Sequence, residues 1–497
     1  MPREWGRNVC LSVGVYYRHM YRSILLLGGA IQLAVSLPAV AQRPATSIDT
    51  IRLSLEEAVT TGLRVADEVR LSAAQADIAE AQVDLARASL LPQLRINSAY
   101  TRTFENARSN AVSAVFNQPS TYSASANFSQ TLFQGGRLIN TARAASSLAR
   151  AAQLDAAEQR ASFTVAVQRA YLGALLAERF VELQESNLQL ASSRLTQVRQ
   201  FQSAGRAAQY DVLRAKVERA NIEPLAIQAV NDRELAHLEL KRLLNLPPSR
   251  PLVLTSTVDA AAAQTMVASY LDTTSLPERA ALRSAELVAR SRHLATAAAR
   301  ADFLPTITYF FQTGFQAFPP AGFGFPSQRG SLDQASCPAG SVAGRLCQNG
   351  GWFEDRSMGV QFSWPLFDGL RAKSALELAR AQTRIADLQL QQEREQVAIE
   401  VARARAELRR AKAVFDARRE TSSEAQEAFR LASLRFTRGL STQLEVSDAQ
   451  LALLTAEGGE ARAVFDLYLA TAEIARTLGR PIPMPATTRA PARRTEN

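Results

Sequence analysis

A long-range echo governs this chain of 497 residues. The stretch FSQTLFQGGR, Phe128 to Arg137, returns as FSWPLFDGLR, Phe362 to Arg371. The same offset of 234 carries Gly205 to Gly439, Gln209 to Gln443, Val212 to Val446 and Pro247 to Pro481. Leu91-Pro92 returns as Leu304-Pro305 at an offset of 213, so the second copy holds 21 extra residues between its strands. An offset held over more than a hundred residues marks a tandem duplication. The expected units are a first repeat at 42–247, a linker or equatorial segment at 248–276, and a second repeat at 277–481.

Each echoing stretch sits where one hydrophobic period gives way to another. Before it, Leu94, Ile96 and Tyr100 alternate with Arg95, Asn97 and Thr101, and Tyr122, Ala124, Ala126 and Phe128 alternate with Ser123, Ser125 and Asn127. Thr306–Phe315 and Met358–Leu366 repeat the pattern. Segments of about ten residues, apolar on one face and small-polar on the other, suit barrel strands facing lipid and water, though one such hairpin alone fits a soluble sheet as well. Gly135, Gly136 and Gly369 occupy the expected strand-to-helix turns, where glycine tolerates backbone angles that side chains forbid.

After each turn the period becomes helical. Leu138 to Gln202 lacks proline, and Leu172, Leu176, Phe180, Leu183 and Leu190 mark a coiled-coil-like seam. About 65 residues at 1.5 Å each give a helix of roughly 100 Å, far longer than a globular domain needs. Gly205 ends it, and a return helix runs from Asp211 to Leu244, with a kink or break expected at Pro224. Leu370 to Phe436 and Leu444 to Leu478 form the matching pair. Upstream of the first strand, Ile51 to Leu90 reads as helix, opened by a Ser54–Glu57 capping box and continued by Leu71, Ile78 and Leu85. Glu278–Ala301 is its counterpart.

Composition narrows the class. Hydrophobic residues make up 47% but aromatics only 7%, which favours helices packed through small side chains. The net charge of +10 is spread among interspersed acids, without the dense basic patch a nucleic-acid partner requires. Residues 1–41 read as a secretory signal: Arg18 and Arg22, the apolar run Ile24–Val35, then Ala39-Val40-Ala41. A start at Met20 would leave a signal of ordinary length. Residues 482–497 read as a disordered Pro/Arg/Thr tail. Cys337 and Cys347, ten apart in the long loop of an exported chain, are expected to form a disulfide.

Four strands per chain cannot close a membrane barrel, and an open sheet edge in lipid leaves backbone groups unsatisfied. The chain is therefore expected to share a barrel with copies of itself: a dimer gives eight strands, a trimer twelve. The helices then continue below the membrane as a tube that tapers at Gly205 and Gly439.

At this point the chain resembles the TolC-like outer-membrane efflux protein family over nearly all of residues 50–480. The carrying residues are Leu55-Glu56-Glu57-Ala58, Leu91-Pro92 with Leu304-Pro305, Leu132-Phe133-Gln134-Gly135-Gly136, and Pro365-Leu366-Phe367-Asp368-Gly369. To these belong Gly205 with Asp211-Val212-Leu213 and Gly439 with Glu445-Val446. The resemblance implies a mixed α/β membrane protein: a homotrimeric, twelve-stranded outer-membrane β-barrel continued by a long periplasmic α-helical barrel. It implies export with a periplasmic adaptor and an inner-membrane transporter. Small toxic compounds are the expected cargo, with protein secretion as the alternative.

The tips carry the candidate site. Asp211, Glu445 and Asp448 follow the two tip glycines. In a trimer they would form acid rings that favour cations; equally, they would complement helix N-terminal dipoles, and both readings stay open. Arg206 and Arg438, beside Gly205 and Gly439, are candidates for contacts with acids or with an adaptor. Family members that latch shut carry a basic residue two positions after the second glycine; Ser441 stands there, so that latch is not expected. An enzyme is disfavoured: His237 and His293 are isolated, and no phosphate loop, nucleophile elbow, cofactor motif or metal-spaced cluster occurs. A soluble periplasmic coiled-coil adaptor is the competing class, weakened by the alternating strands.

Overall fold

The computed structural model describes residues 50–105, 120–257, 260–271, 279–317 and 352–484. The proposed signal segment, Cys337, Cys347 and the residues after 484 lie outside them. In chain order the elements are β1 (Ile51–Leu53), α1 (Leu55–Val65), α2 (Asp67–Ala88), β2 (Gln93–Arg102), β3 (Ser120–Gln134), α3 (Arg137–Ser203) and α4 (Gln209–Leu243). There follow β4 (Leu252–Leu254), α5 (Ala260–Leu271), α6 (Ala280–Arg300), a 3-10 turn (Ala301–Phe303), β5 (Thr306–Ala317), β6 (Trp352–Ser363), α7 (Arg371–Thr437) and α8 (Gln443–Thr477).

The duplication is visible in the boundaries. Helices α3 and α7 have 67 residues each and α4 and α8 have 35 each, and every end is displaced by 234. The strands pair antiparallel in the order β2-β3-β5-β6, leaving β2 and β6 as free edges. Register puts Leu94, Phe128, Phe311 and Met358 in one cross-sheet row and Arg95, Asn127, Gln312 and Ser357 in the adjacent row. Successive rows point to opposite faces, so the sheet has an apolar face and a polar one. On the polar face a side chain at Gly359 would strike the Phe310 ring at 2.9 Å.

The helical layer repeats the strand order. Below the sheet α2 packs on α3, α3 on α6, and α6 on α7, so α2 and α7 are its edges. Further down, α4, α3, α8 and α7 pack in that order. Two buried clusters hold the middle. In one, Leu55 and Val59 of α1 and Leu252 of β4 pack on Phe163, Val167, Tyr171 and Leu240. In the other, Val267 of α5 packs among Val397, Leu408, Phe415, Leu467 and Ile474.

Several expectations need correction. The segment from Ile51 is a short strand, not helix: β1 pairs parallel with β4. Ala66, in extended conformation, separates α1 from α2. The capping box does form, with the Glu57 amide donating to Ser54 Oγ at 3.2 Å and the Ser54 amide to Glu57 Oε2 at 2.9 Å. Leu71, Ile78 and Leu85 do not join the core of the single chain; they are 63%, 59% and 75% exposed, while Val69 and Val83 face inward. The expected linker carries β4 and α5. Residues 364–366 lie beyond β6, which starts earlier than expected. Helix α4 runs unbroken through Pro224. Pro224 and Ala220 are both exposed, so the carbonyl that loses its helical donor meets solvent, and packing on α3 maintains the helix.

Candidate functional site at the helical tips

The two hairpins end alike because each supplies a glycine where an L side chain is strained. Gly205 has φ +71° and Gly439 φ +75°. Around the first, the Gly205 amide donates to Gln202 O at 2.9 Å and Arg206 to Phe201 O at 2.7 Å; around the second, Gly439 donates to Phe436 O at 2.9 Å and Leu440 to Arg435 O at 2.8 Å. These paired bonds satisfy the last helical carbonyls. Phe201 and Phe436 lie with ring centroids 6.5 Å apart, which brings the tips together.

The sequence-predicted residues take distinct places around that contact. Arg206 sets its guanidinium 4.9 Å over the Phe201 ring rather than against an acid. Arg438 is exposed at the end of α7. Asp211 caps α4, its Oδ2 accepting the Ala208 amide at 3.0 Å, so the helix-start reading holds within one chain. Glu445 occupies the first turn of α8, its amide donating to Thr442 Oγ1 at 3.4 Å and its carboxylate 3.9 Å from Arg435. Asp448 is exposed one turn further on. Ser441 engages its own hairpin, donating to Ala432 O at 3.4 Å.

Between tip and midpoint lies a polar junction that the sequence did not announce. Arg194 of α3 is only 7% exposed at its side chain. It donates to Glu218 Oε1 of α4 at 3.1 Å, to Ser447 Oγ of α8 at 2.9 Å and to Gln450 Oε1 of α8 at 2.6 Å. Ser447 in turn donates to Glu218 Oε2 at 3.1 Å, and the Gln450 amide to Asn187. Burial lowers the Arg194 pKa from its ordinary value, opposed by the charge and hydrogen bond of Glu218. One guanidinium thus ties the first hairpin to the return helix of the second. The only sequence signal is a charge inside the stripe Ala191, Leu195, Val198.

A second junction joins α3, α6, α7 and α8. Arg279 at the start of α6 donates to Glu158 Oε1 of α3 at 2.9 Å and pairs with Glu400 of α7; Arg476 of α8 donates to the same Glu158 oxygen at 3.0 Å. For Glu400, burial pushes the pKa up, but hydrogen bonds from Gln396 and Arg279 and the charges of Arg279 and Arg476 bring it below its ordinary value.

At the strand-to-helix turns Gly135 (φ +57°) also meets a space limit, since a Cβ there would lie 2.8–2.9 Å from Leu304 and Ala301. Gly136 and its counterpart Leu370 both precede their helices with φ of +78° and +66°. Asp368 compensates in the second copy, Oδ2 accepting the Ala372 amide at 2.8 Å. His237 pairs with Glu178 at 2.9 Å and His293 with Asp387 at 3.0 Å. Among the described residues no group of three His, Cys, Asp or Glu side chains could hold a metal, and no helix is long and apolar enough to cross a membrane.

The family model described as outer membrane efflux protein matches residues 64–246 and 273–480. No curated protein sequence matches the chain. Among solved structures, the outer membrane protein VceC from Vibrio cholerae is 20% identical at a TM-score of 0.67, covering 86% of this chain and 97% of that one. The open-state MtrE outer membrane channel of Neisseria gonorrhoeae is 20% identical at 0.64, covering 86% and 89%. The CmeC outer membrane channel of Campylobacter jejuni is 15% identical at 0.68, covering 86% and 85%. At these identities the likeness is one of fold.

Proposed function

Because this chain belongs to the outer membrane efflux protein family, we propose that three copies assemble into one exit duct for small toxic compounds, through the outer membrane and across the periplasm. One observation carries the reading: the four-stranded sheet has two unpaired edges and opposite apolar and polar faces. Free edges in lipid are too costly to persist, so neighbouring copies must supply the partners, and three copies give a lumen wide enough to hold water.

The helical edges support the same assembly. Leu71, Ile78 and Leu85 expose a seven-residue repeat along α2, and Leu378, Ile385 and Leu388 expose apolar side chains along α7. Stripes of this spacing suit helix pairing between copies. The polar sheet face then lines a wet, unselective passage.

At the far end the tip loops Gln202–Gln209 and Phe436–Gln443 present Gly205, Arg206, Arg438 and Gly439 to a periplasmic adaptor, which links the duct to an inner-membrane transporter. Asp211, Glu445 and Asp448 recur three times around the axis and favour cations, alongside the capping that Asp211 performs. The Arg194 junction holds the hairpins together there and so sets the width of the mouth.

Planar-bilayer conductance of the purified trimer tests this reading. A small cation-selective current is expected, losing selectivity when Asp211→Asn, Glu445→Gln and Asp448→Asn are combined. An unchanged current would return those acids to capping alone. A protein that forms no channel and needs no detergent would overturn the assembly.

A further inference from the structure

In the assembly of three copies proposed for this chain, the joint between its two repeats is a ready template for the joint between copies. The repeats match to the residue. Within the first, Leu94 stands opposite Phe128; within the second, Ile307 stands opposite Phe362. The same offsets relate these positions, 213 for the first strand of each hairpin and 234 for the second. Each hairpin therefore has the same register and the same facing. Strands β3 and β5 then join one repeat to the next, with Phe128 opposite Phe311 and Tyr122 opposite Ala317.

The helices obey the same relation, α2 matching α6 and α3 matching α7. Leu71 and Ile78 of α2 are exposed, whereas their equivalents on α6, Ser284 and Ser291, are buried. Leu378 and Ile385 of α7 are exposed, whereas their equivalents on α3, Ala144 and Ala151, are buried. Each position is covered where the other repeat packs against it and bare where no repeat follows. The two bare rows are thus the two sides of one joint. Its chemistry differs from the internal one, which uses small residues and the ion pairs Arg137–Asp302 and Arg279–Glu158. At the matching positions Asp302, Arg279 and Glu158 give way to Ser89, Ala66 and Gln392, and leucine and isoleucine replace the serines and alanines.

We propose that β6 pairs antiparallel with β2 of the neighbouring copy in the register of β3 with β5, and that α7 packs on α2 of that copy as α3 packs on α6. Carrying β3 forward by 234 and β5 back by 213 sets Phe362 opposite Ser98, Gln361 opposite Ala99 and Val360 opposite Tyr100 of the neighbouring copy. This register keeps apolar face with apolar face; a slip of one residue would exchange the two. In the helical layer the Arg137–Asp302 and Glu158–Arg279 pairs fix the levels. Carried over, they put Ile78 of the neighbouring copy between Leu378 and Ile385, and Leu71 beside Leu388. Three chains then form six like repeats around one axis, joined alternately by ion-clasped small-residue joints and by apolar ones.

Disulfide cross-linking of the full-length chain in outer membranes, in a Cys337→Ser/Cys347→Ser background, tests the register. Ser98→Cys/Phe362→Cys and Ala99→Cys/Gln361→Cys sample adjacent rows, one of which is the closer, non-hydrogen-bonded kind. At least one is expected to run as a covalent trimer that reverts to monomer on reduction. Ser98→Cys/Val360→Cys, slipped by two residues, leaves the Cβ atoms about 7 Å apart, beyond disulfide reach, and should not cross-link. In the helical layer Ile78→Cys/Leu378→Cys should cross-link, and Leu85→Cys/Leu388→Cys, about 20 Å apart along the axis, should not. A covalent trimer from the slipped pair alone, or a trimer by light scattering with no product from any matched pair, would overturn the register and leave the shared barrel standing. A monomer by light scattering with no product from any pair would overturn the assembly and the register together.

Discussion

Replacing Arg194 with methionine tests whether the buried junction sets the spacing of the hairpins. Methionine keeps most of the side-chain volume and bends to fit, so the change removes charge and donors with little loss of packing. The guanidinium makes three hydrogen bonds, one of them to the carboxylate of Glu218. Removing one partner of a buried pair costs about 3–5 kcal/mol when the other is stranded. Glu218 retains 24% of its side-chain exposure and can partly hydrate, so about 2–3 kcal/mol is the better figure. Because α8 enters the junction only through Ser447 and Gln450, much of that loss weakens the hold of the second hairpin on the first. The population with the hairpins parted should rise by about 30- to 150-fold.

Two assays read this directly. Hydrogen exchange at the α8 amides around Ser447 and Gln450 should accelerate while the upper helices stay protected. Single-channel conductance should rise as the mouth widens. Arg179→Met is the control, since that arginine forms an exposed pair with Glu182 three residues along the same helix, worth about 0.2–0.5 kcal/mol. If Arg194→Met folds with unchanged tip exchange and unchanged current, the junction is packing and does not govern the aperture.

Three further outcomes follow from the geometry. Gly205→Ala and Gly439→Ala should each lower stability by about 1–2 kcal/mol, read by thermal melting, since φ is near +70° at both and no neighbouring atom lies within 4 Å of a Cβ to make space the cause. Leu370→Gly and Gly136→Leu should shift melting in opposite directions, the first up and the second down by about 1 kcal/mol, because both positions hold a left-handed backbone. Acid should weaken the upper junction: Glu400 titrates below its unfolded value near 4.5, so its contribution is complete above that pH and disappears as pH falls through the lower folded value. Glu400→Gln should remove that part of the pH dependence from a melting series.

What could be read from the sequence is what local chemistry decides. The period change at Phe128 and Phe362, the tip glycines and the proline-free spans placed the long helices and most strand ends to within a few residues, but not the start of β6, which lies at Trp352 rather than Met358. The Ser54–Glu57 box placed the start of α1 because capping is a contact between residues three apart. Three-residue strands cannot declare a period, so β1 was read as helix; it exists because Leu252–Leu254 lies beside it, two hundred residues away in sequence. Pro224 misled because its local cost is real, yet helix packing and an exposed carbonyl absorb it. Arg194 and Arg279 were invisible for the same reason as β1: each is explained by partners on other helices.

The exposed apolar rows show where single-chain reasoning stops. Leu71, Ile78 and Leu85 have the spacing of a buried face, and their sequence reading as a continued face was sound about chemistry but wrong about the partner within one chain. Val69 and Val83 take the inward face of α2 instead, leaving the heptad row free at an edge of the helical layer. The other edge, α7, leaves Leu378, Ile385 and Leu388 equally free. The same order of elements leaves β2 and β6 unpaired in the sheet above. Two free edges, each unfinished in both hydrogen bonding and apolar burial, would be the ends of one repeating wall in the proposed assembly. Duplication doubled the hairpin within the chain, and in that assembly repetition of the chain is the step that would close the tube.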